Sequence, residues 1–324
     1  MRRYANRAIG LLVRILFIPL LAFALVLCGS VSMHASSEER AALRVATYNV
    51  RNYLSMDRRV EGRFRRDYPK PESEKRVVRD TIVEVAPDVL ALQEIGSEEY
   101  LLELRDDLAR AGLVYKHYAL MNGYDQVRHV AALWNDNVEI TVVEHDDLSF
   151  NYFGERFFVS RGLLELKIEG ESDAAFSSIF ILHLKSKYTT DKRDYQSLKR
   201  RTLEAQAARG RILKLYPEPG KSRYVIVGDL NDTPDSSATR RMLTKGDLEL
   251  SRIVSCKDSR GMVWTHFYKK GGSYSQVDYV LVSPGWGKAR KLSGRIVDRK
   301  NYYEGSDHRL VWLDLPFCGQ NKSE

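Results

Sequence analysis

The feature that most constrains the fold is the segment of residues 224–236, YVIVGDLNDTPDS. Four apolar or aromatic residues lead into a Gly-Asp-Leu-Asn sequence, and a turn that contains Pro234 follows. This pattern predicts a buried strand that ends abruptly. Because side chains two residues apart on a strand project to the same side, Asp229 and Asn231 can face one point in space. An Asx-rich turn without any chemistry would have the same residues, so other segments must distinguish the two interpretations.

Residues 1–35 have the organisation of an export signal. An apolar run at 15–27 is followed by small or polar residues at 29–37, and four arginines precede it: Arg2, Arg3, Arg7 and Arg14. The apolar run is short for a membrane-spanning helix, so we expect cleavage between residues 30 and 36, with an uncleaved anchor beginning near Ile9 as the alternative. The protein is therefore predicted to be exported, either to the periplasm or out of the cell.

The chain has a positive net charge, and the charge would stay positive after the loss of residues 1–35. The formal net charge is +8, and the loss of residues 1–35 would leave +4. A positive charge favours polyanionic partners, although many ordinary soluble proteins carry one. Cys256 and Cys318 would remain after cleavage, either as a disulfide or as two free thiols. Because no Cys and His residues have zinc-site spacing, we expect any metal to be held by oxygen ligands.

Predicted strands and helices alternate irregularly along the rest of the chain. Strands are predicted at 43–50, 88–94, 114–121, 129–134, 138–143, 163–168, 178–184, 224–227, 263–268, 276–283 and 310–315, and helices at 72–86, 98–111, 194–215 and 236–243. Residues 51–71 are expected to form an arginine-rich surface loop, and the arginines of the helix at 194–215 are expected to coat its outer face. This succession indicates a single α+β or mixed-sheet domain.

Polar side chains recur at the ends of the predicted strands or just beyond them. They are Asn49, Glu94, His183, Asp229, Asn231, Asp278, Asp307 and His308. Such a set is typical of a catalytic site, because loops are exposed while the sheet fixes their geometry. Asp278 lies between Val277 and Tyr279 in an apolar strand, so its carboxylate needs a cationic or hydrogen-bond-donating partner.

The motifs TYN, LQE, HLK, GDLND, VDY and SDH, in this order over residues 43–316, resemble those of the endonuclease/exonuclease/phosphatase superfamily. This superfamily includes pancreatic-type deoxyribonuclease, exonuclease III, neutral sphingomyelinases and inositol polyphosphate phosphatases. The resemblance implies an α+β fold, a four-layer α/β/β/α sandwich of two packed mixed β-sheets flanked by helices. It also implies one catalytic domain over residues 43–316, with its site in a cleft at one edge of the sheets.

The resemblance further implies a divalent metal ion. Glu94 and Asp307, supported by Asn49, would form an oxygen-rich site for Mg²⁺ or Mn²⁺, with Ca²⁺ as a further candidate. The cation would neutralise charge that builds up on the phosphoryl oxygens during hydrolysis.

The catalytic roles implied by the same resemblance belong to five residues. Asp229 would position or deprotonate the attacking water, and Asn231 would donate to a phosphoryl oxygen. His308, oriented by Asp278, would act in acid–base chemistry or in phosphate binding. His183 would contact the scissile phosphate, and its HLKS context resembles the deoxyribonuclease and sphingomyelinase branches.

Nucleic acid is the expected substrate, because basic residues follow several of the strand ends. Arg51, Lys185 and Lys187 are predicted to bind it, and the choices of DNA or RNA and of endo- or exo-cleavage stay open. A phospholipid or an inositol phosphate is the alternative. A lipid substrate would favour an exposed aromatic hairpin, but the aromatic segments at 152–158 and 264–268 are expected to be mainly core. A catalytically silent scaffold would not need the complete set of polar residues. No obligate protein partner is indicated, and a monomer is expected.

Overall fold

The computed structural model describes residues 42–169, 178–287 and 292–316. Its helices are α1 (Glu72–Val85), α2 (Glu98–Arg110), α3 (Leu198–Leu215), α4 (Ser237–Leu243) and α5 (Tyr302–Gly305). Helix α4 begins where the Ser236 hydroxyl accepts a hydrogen bond from the Thr239 N–H. None of the helices in these ranges is long and apolar enough to cross a membrane. The predicted export segment and Cys318 lie outside the described residues, whereas Cys256 is buried.

Strands make up most of the remaining regular structure. In chain order they are β1 (Ala42–Tyr53), β2 (Met56–Val60), β3 (Arg63–Tyr68), β4 (Val89–Ile95), β5 (His117–Leu120), β6 (His129–Trp134), β7 (Ile140–His145), β8 (Ser149–Tyr152), β9 (Glu155–Phe158), β10 (Leu163–Ile168), β11 (Ser178–His183), β12 (Tyr224–Asp229), β13 (Thr244–Lys245), β14 (Leu248–Glu249), β15 (Arg252–Ile253), β16 (Ser255–Lys257), β17 (His266–Tyr268), β18 (Ser273–Ser275), β19 (Asp278–Val282), β20 (Ser293–Ile296) and β21 (Val311–Pro316).

Two mixed sheets form the centre of the fold. The large sheet has the strand order β16, β20, β21, β1, β4, β6, β5, and the small sheet has the order β15, β19, β12, β11, β10, β7. Strands β1 and β4 run parallel, as do β11 and β12. On its other side, β1 pairs with β21 in the antiparallel direction, and β12 pairs with β19 in the same way.

Successive residues of the central strands face different layers of the molecule. In β1, Val45 lies in the core between the sheets, and Ala46 lies in the core beneath α1 and α2. In β12, Val225 lies between the sheets, and Tyr224 packs towards α3 and α4. Because side chains alternate along a strand, both faces of each sheet are covered. The predicted four-layer α/β/β/α sandwich is confirmed.

Parallel pairing brings polar strand ends together at one edge of each sheet. In the large sheet Asn49 pairs with Gln93, so β1 and β4 end side by side next to Glu94. In the small sheet His183 pairs with Asp229, and Asp229 pairs with Asp278 of β19. The backbone register of the two sheets therefore brings most of the predicted site residues close to one another.

The prediction of a loop at residues 51–71 is wrong for most of its length. Strands β2 and β3 pair as a hairpin, called here the basic hairpin, and their exposed or half-buried side chains cover neither sheet. The hairpin carries five arginines: Arg58, Arg59, Arg63, Arg65 and Arg66. A strand without a buried face shows no apolar alternation, which explains why the pattern indicates a loop.

Helix α3 differs from its prediction in its start and in its charged face. The Asp194 carboxylate accepts hydrogen bonds from the backbone N–H groups of Lys199 and Arg200, both at 2.9 Å, so the helix begins only at Leu198. Arg201 does not lie on the outer face as expected but is 1% exposed. Its guanidinium is buried because it pairs with Asp232, which follows the GDLN sequence.

The aromatic segments are less deeply buried than predicted. Residues 149–158 form the hairpin β8–β9, in which Tyr152 is buried but Phe153 and Phe158 are half-buried. Strands β17 and β18 form a second hairpin, with Tyr268 and Tyr274 exposed. Neither hairpin belongs to the large or the small sheet, which explains why their aromatic side chains are less deeply buried than those of the sheets.

We expect Gly228→Ala to destabilise the fold strongly. Gly228 has a φ of +136°, and an added Cβ would lie 1.9 Å from the carbonyl oxygen of Leu182 on the paired strand. The free energy of unfolding, measured by urea denaturation, should fall by about 3 kcal/mol or more.

Gly210→Ala is the matched control, because Gly210 lies within α3 and an added Cβ would meet no atom within 4 Å. It should stabilise the protein by about 0.5–1 kcal/mol. Equal stability of the two variants would contradict the steric argument.

Candidate active site

The carboxylate of Asp229 lies at the centre of the site and joins the two sheets. It is buried at the end of β12, and its Oδ2 accepts a hydrogen bond of 3.1 Å from Asn49 Nδ2 at the end of β1. Its Oδ1 accepts a hydrogen bond of 2.7 Å from the Asn231 backbone N–H. Burial is the largest influence on this group and raises the pKa of Asp229, with Asp278 acting in the same direction.

His308 and Asp278 form a buried pair beside Asp229. His308 Nδ1 lies 2.8 Å from Asp278 Oδ2, and His308 Nε2 lies 3.9 Å from Asp229 Oδ2. Burial alone would lower the pKa of His308, but the two carboxylates outweigh it and raise the pKa. Asp278 is therefore partnered, as its place in an apolar strand requires.

His183 contributes an imidazole from the neighbouring strand. Its Nε2 lies 3.6 Å from Asp229 Oδ2, and the side chain is 1% exposed. Among the described residues, neither ring nitrogen has a hydrogen-bond partner. Burial, with Arg161 next in effect, lowers the pKa of His183 well below its usual range. A neutral imidazole with unused nitrogens is suited to hydrogen-bond a ligand that enters the site.

Asn231 folds back onto the strand ends. Its backbone is left-handed, with a φ of 55°, and its Nδ2 donates to Leu184 O at 3.0 Å and to Asp229 Oδ2 at 3.2 Å. Both amide hydrogens thus bind the protein in this structure. Donation to a phosphoryl oxygen stays a prediction, and it requires that the contact with Asp229 be exchanged.

An irregularity within β1, just after Asn49, turns the chain and contacts the carboxylates of the large-sheet side. Arg51 and Asn52 are left-handed, at φ 45° and 51°, where the pairing of β1 with β4 shifts register. The Asn52 N–H donates to Glu94 Oε2 at 3.0 Å, and Arg51 Nε lies 3.6 Å from Asp307 Oδ2. The same short turn therefore contacts both acids.

Glu94 and Asp307 each carry a carboxylate of the kind that suits a hard divalent cation, and their joint role as metal ligands stays a prediction. Within the described part of the chain, Glu94 Oε1 makes no hydrogen bond, so this oxygen is free to coordinate. Asn49 fits less well, because its Oδ1 accepts from the Arg51 N–H at 2.9 Å and its amide binds Asp229. Its predicted role as a ligand stays a prediction.

Two other groups of side chains in the described ranges could hold a metal ion. Each places three ligand atoms within 4.8 Å of one another: His266 with Asp307 and His308, and Asp229 with Asp278 and His308. Asp307 thus belongs to one such group, while Glu94 belongs to neither.

The three residues predicted to bind substrate make different contacts in the structure. Arg51 is the one that contacts a predicted metal ligand, Asp307. Lys187 Nζ lies 3.6 Å from Asp232 Oδ1, and Lys185 Nζ donates to Ser186 O at 3.2 Å. Both lysines follow His183 in a loop at the edge of the small sheet.

Sequence reasoning missed several residues that build this site. The Ser306 hydroxyl donates to Asn49 O at 2.7 Å and accepts from the His308 N–H at 3.1 Å, so it fixes the SDH loop against β1. Thr265 Oγ1 accepts from the Asp278 N–H at 3.0 Å. The ring of His266 lies 4.6 Å from that of His308. Ser306 is the first residue of the SDH motif, so it had a sequence signal, whereas Thr265 and His266 lie in the segment 263–268, which contains none of the six motifs.

Comparisons with known proteins concern the family and the fold of the chain. Residues 46–308 match the sequence model described as the Endonuclease/Exonuclease/phosphatase family. No curated protein matches the chain.

Solved structures share the fold. They include the human Nocturnin catalytic domain with bound sulfate anion, at 17% identity and a TM-score of 0.57, covering 86% of this chain and 95% of that one. Truncated TDP2 of Caenorhabditis elegans is 16% identical with a TM-score of 0.53, covering 85% and 97%. Beta toxin of Staphylococcus aureus is 15% identical with a TM-score of 0.56, covering 84% and 99%.

We expect Asp232→Ala to be strongly destabilising. Arg201 Nη2 and Nε lie 2.7 and 3.0 Å from Asp232 Oδ2, so the substitution leaves a buried guanidinium without its counter-ion. The free energy of unfolding in urea should fall by about 3 kcal/mol or more. Asp235→Ala is the control, because that side chain is 94% exposed, and it should leave the unfolding midpoint unchanged. Similar midpoints for the two variants would rule out a structural role for the buried pair.

Proposed function

Because the chain belongs to the endonuclease/exonuclease/phosphatase family, we propose that it is an exported, divalent-metal-dependent phosphodiester hydrolase that cleaves nucleic acid as a monomer. Members of this family are phosphoric ester hydrolases. The observation that carries the proposal is the convergence of His183, His308 and Asn49 on the buried carboxylate of Asp229.

Asp229 is suited to orient the attacking water and to accept its proton. Burial raises the pKa of its carboxyl, which makes it a better proton acceptor than an exposed aspartate near neutral pH. The hydrogen bonds from Asn49 and from the Asn231 backbone fix its orientation. A base held in one geometry by the end of a rigid strand places the water in line with the phosphorus atom.

His308 supplies the positive charge of the site. Its Nδ1 is bound to Asp278, so Nε2 is the nitrogen that faces the reacting groups. An imidazolium held there stabilises negative charge on the phosphoryl oxygens and can return a proton to the leaving oxygen. The neutral His183 imidazole would hydrogen-bond a non-bridging oxygen of the scissile phosphate.

Glu94 and Asp307 would hold the divalent cation, and Arg51 and Asn52 of the adjoining turn keep both carboxylates in place. When bound, a Mg²⁺ or Mn²⁺ ion neutralises charge on the phosphate and favours deprotonation of water.

A polynucleotide is favoured over a singly charged diester by the cations around the site. The arginines of the basic hairpin are exposed or half-buried, and Arg58 connects this hairpin to the turn by donating to Asn52 O at 3.3 Å. A row of cations beside a phosphodiester site matches the regular charge of a nucleic acid backbone.

One observation favours a lipid substrate as the second candidate. The hairpin β17–β18 exposes Tyr268 and Tyr274, and its Phe267 N–H donates to Asp307 O at 3.0 Å. An exposed aromatic hairpin attached to the site could contact a membrane surface.

Export completes the proposal and rests on the signal-like pattern of residues 1–35. N-terminal sequencing of the protein recovered from outside the cytoplasm would find a start between residues 30 and 36, whereas an intact N-terminus in the membrane fraction would indicate a retained anchor.

We expect the purified protein with Mg²⁺ to cleave supercoiled DNA or single-stranded RNA. Sphingomyelin and an inositol polyphosphate are offered in parallel. Products are followed by electrophoresis for the nucleic acids, by phosphocholine release for sphingomyelin and by phosphate release for the inositol polyphosphate. EDTA should abolish the activity and added Mg²⁺ or Mn²⁺ should restore it. The proposed ligands Glu94 and Asp307 are themselves negatively charged, so only a bound cation can neutralise the phosphate there. Turnover of the lipid or inositol substrate alone would overturn the nuclease proposal, and activity that persists in EDTA would exclude the metal.

We expect His308→Ala and Asp229→Asn each to lower kcat by about two or more orders of magnitude, because each removes a group that acts on the reacting atoms. Thermal melting would verify that the variants fold. His117→Ala and Asp235→Asn are the controls, because they change exposed residues of the same types, and their kcat should match that of the unmodified protein. Near-normal rates for His308→Ala or Asp229→Asn would show that the site is elsewhere.

A further inference from the structure

A cavity of about 660 Å³ opens beside Glu94. The charged residues of its lining are Glu94, Asp125, Arg128, Arg161, Lys185 and Arg200. We call it the basic cavity, because its lining has four cationic side chains and two acids. The proposed function leaves most of these cations without a role.

Arg161 is the strongest sign that the basic cavity receives a ligand. It is only 7% exposed, and its Nη2 lies 3.0 Å from Asp125 Oδ2. Within the described part of the chain, its Nε and Nη1 have no hydrogen-bond partner. A buried guanidinium with unused donors is costly unless an anion or water satisfies it. Its planar fork matches the oxygens of a phosphate.

Hydrogen bonds of the backbone and of buried side chains hold the segments around Arg161 in place. The Asp125 N–H donates to Ser160 O at 2.7 Å, and an added Cβ at Gly123 would lie 2.8 Å from the same oxygen. On the other side, the buried Glu204 of α3 accepts from the Ser160 hydroxyl and from the Lys185 N–H, both at 2.7 Å. The cations are therefore preorganised for a ligand.

The basic cavity adjoins the reaction centre through short contacts. Arg128 Nε donates to Asn52 Oδ1 at 2.7 Å, and the Asn52 N–H donates to Glu94 Oε2 at 3.0 Å. After burial, the charge of Arg161 has the largest effect in lowering the pKa of His183. A group in the cavity would thus be a near neighbour of the phosphate bound at His183.

From these contacts we infer that the basic cavity binds a second, non-scissile phosphoryl group of the substrate. The inference rests on the proposed hydrolase activity and narrows its substrate class to phosphoesters that carry another phosphate close to the cleaved bond. Tyr124 and Tyr188 are exposed at the rim, and the Tyr124 ring stacks on Phe158 at 4.1 Å. Flat exposed rings beside a phosphate site suit nucleobases, which makes a polynucleotide the favoured source of the second phosphate.

Charge-neutral linkages in an oligonucleotide test this inference. A short oligothymidylate is compared with versions in which a single methylphosphonate replaces one phosphate at a known position, and cleavage sites are mapped by mass spectrometry. In the unmodified protein, neutralising a linkage next to the cut should lower kcat/KM at that bond by about tenfold, because a charge-assisted contact is lost.

Variants of the basic cavity should lose this penalty. Arg161→Gln removes the buried guanidinium from the lining of the basic cavity. Arg200→Gln removes a half-buried guanidinium from the same lining, so the test remains valid if the first variant does not fold. In both, the modified and unmodified oligonucleotides should be cleaved at rates within about twofold of each other. Arg76→Gln, which removes an exposed charge from α1, is the control and should retain the full penalty.

The outcomes separate this inference from the proposed function. Cleavage of the oligonucleotide with no penalty from any neutral linkage would overturn the second phosphate site and leave the nuclease intact. No cleavage of any nucleic acid would refute the proposed nuclease activity. The second phosphate site is then tested separately, by calorimetric measurement of the binding of inorganic pyrophosphate and of inositol bisphosphate. Binding weakened about tenfold by Arg161→Gln or Arg200→Gln but not by Arg76→Gln would support it. Equal binding by all variants would reject it.

Discussion

The buried carboxylate of Asp229 is the constraint on which the site depends. A carboxylate removed from water must be hydrogen-bonded or protonated. Here a hydrogen bond comes from Asn49 of the large sheet, and the imidazoles of His183 and His308 lie 3.6 and 3.9 Å from the same oxygen. The geometry of the site therefore depends on how one sheet packs on the other. A shift of one sheet relative to the other would remove the hydrogen bond that Asn49 donates to Asp229.

Left-handed backbone at the strand ends makes this convergence geometrically feasible. Arg51, Asn52, Glu94 and Asn231 all have positive φ, and each such residue costs about 1 kcal/mol or more. The surrounding structure holds the strained turn. The fully buried Lys70 donates to Arg51 O at 3.0 Å and lies 3.3 Å from Glu74, while burial lowers its pKa to about 8. Strain at these positions turns side chains out of the strands and towards one another.

The charges of the molecule divide into two functional sets. Near Asp229, acids and imidazoles are buried and paired, which suits proton transfer. Beyond Glu94, the guanidinium groups of Arg128, Arg161 and Arg200 line a cavity, and Arg161 and Arg200 also face the acids Asp125 and Glu204. The basic hairpin adds exposed arginines outside this set. Under the proposed function, a polyanion would meet these cations first and the carboxylate of Asp229 last, and the long-range attraction would weaken with salt.

The sequence by itself determined the central strands of the two sheets, because residues buried on both faces of a sheet must be continuously apolar. It also marked where β11 and β12 end, at His183 and Asp229, whereas β1 continues past Asn49 to Tyr53 and β4 continues past Glu94 to Ile95. Its motifs led to the correct family and four-layer fold. The catalytic and metal-binding roles of these residues stay predictions.

Only the tertiary structure decided which partners meet. Nothing local distinguishes the buried Arg201 from the arginines on the surface of the same helix, because its counter-ion Asp232 is 31 residues away. The same holds for Arg161, for the contact of His266 with His308 and for the basic hairpin, whose strands bury no face. Periodicity reports whether a side chain faces a packed layer, whereas ion pairs and cavities arise from contacts between distant segments.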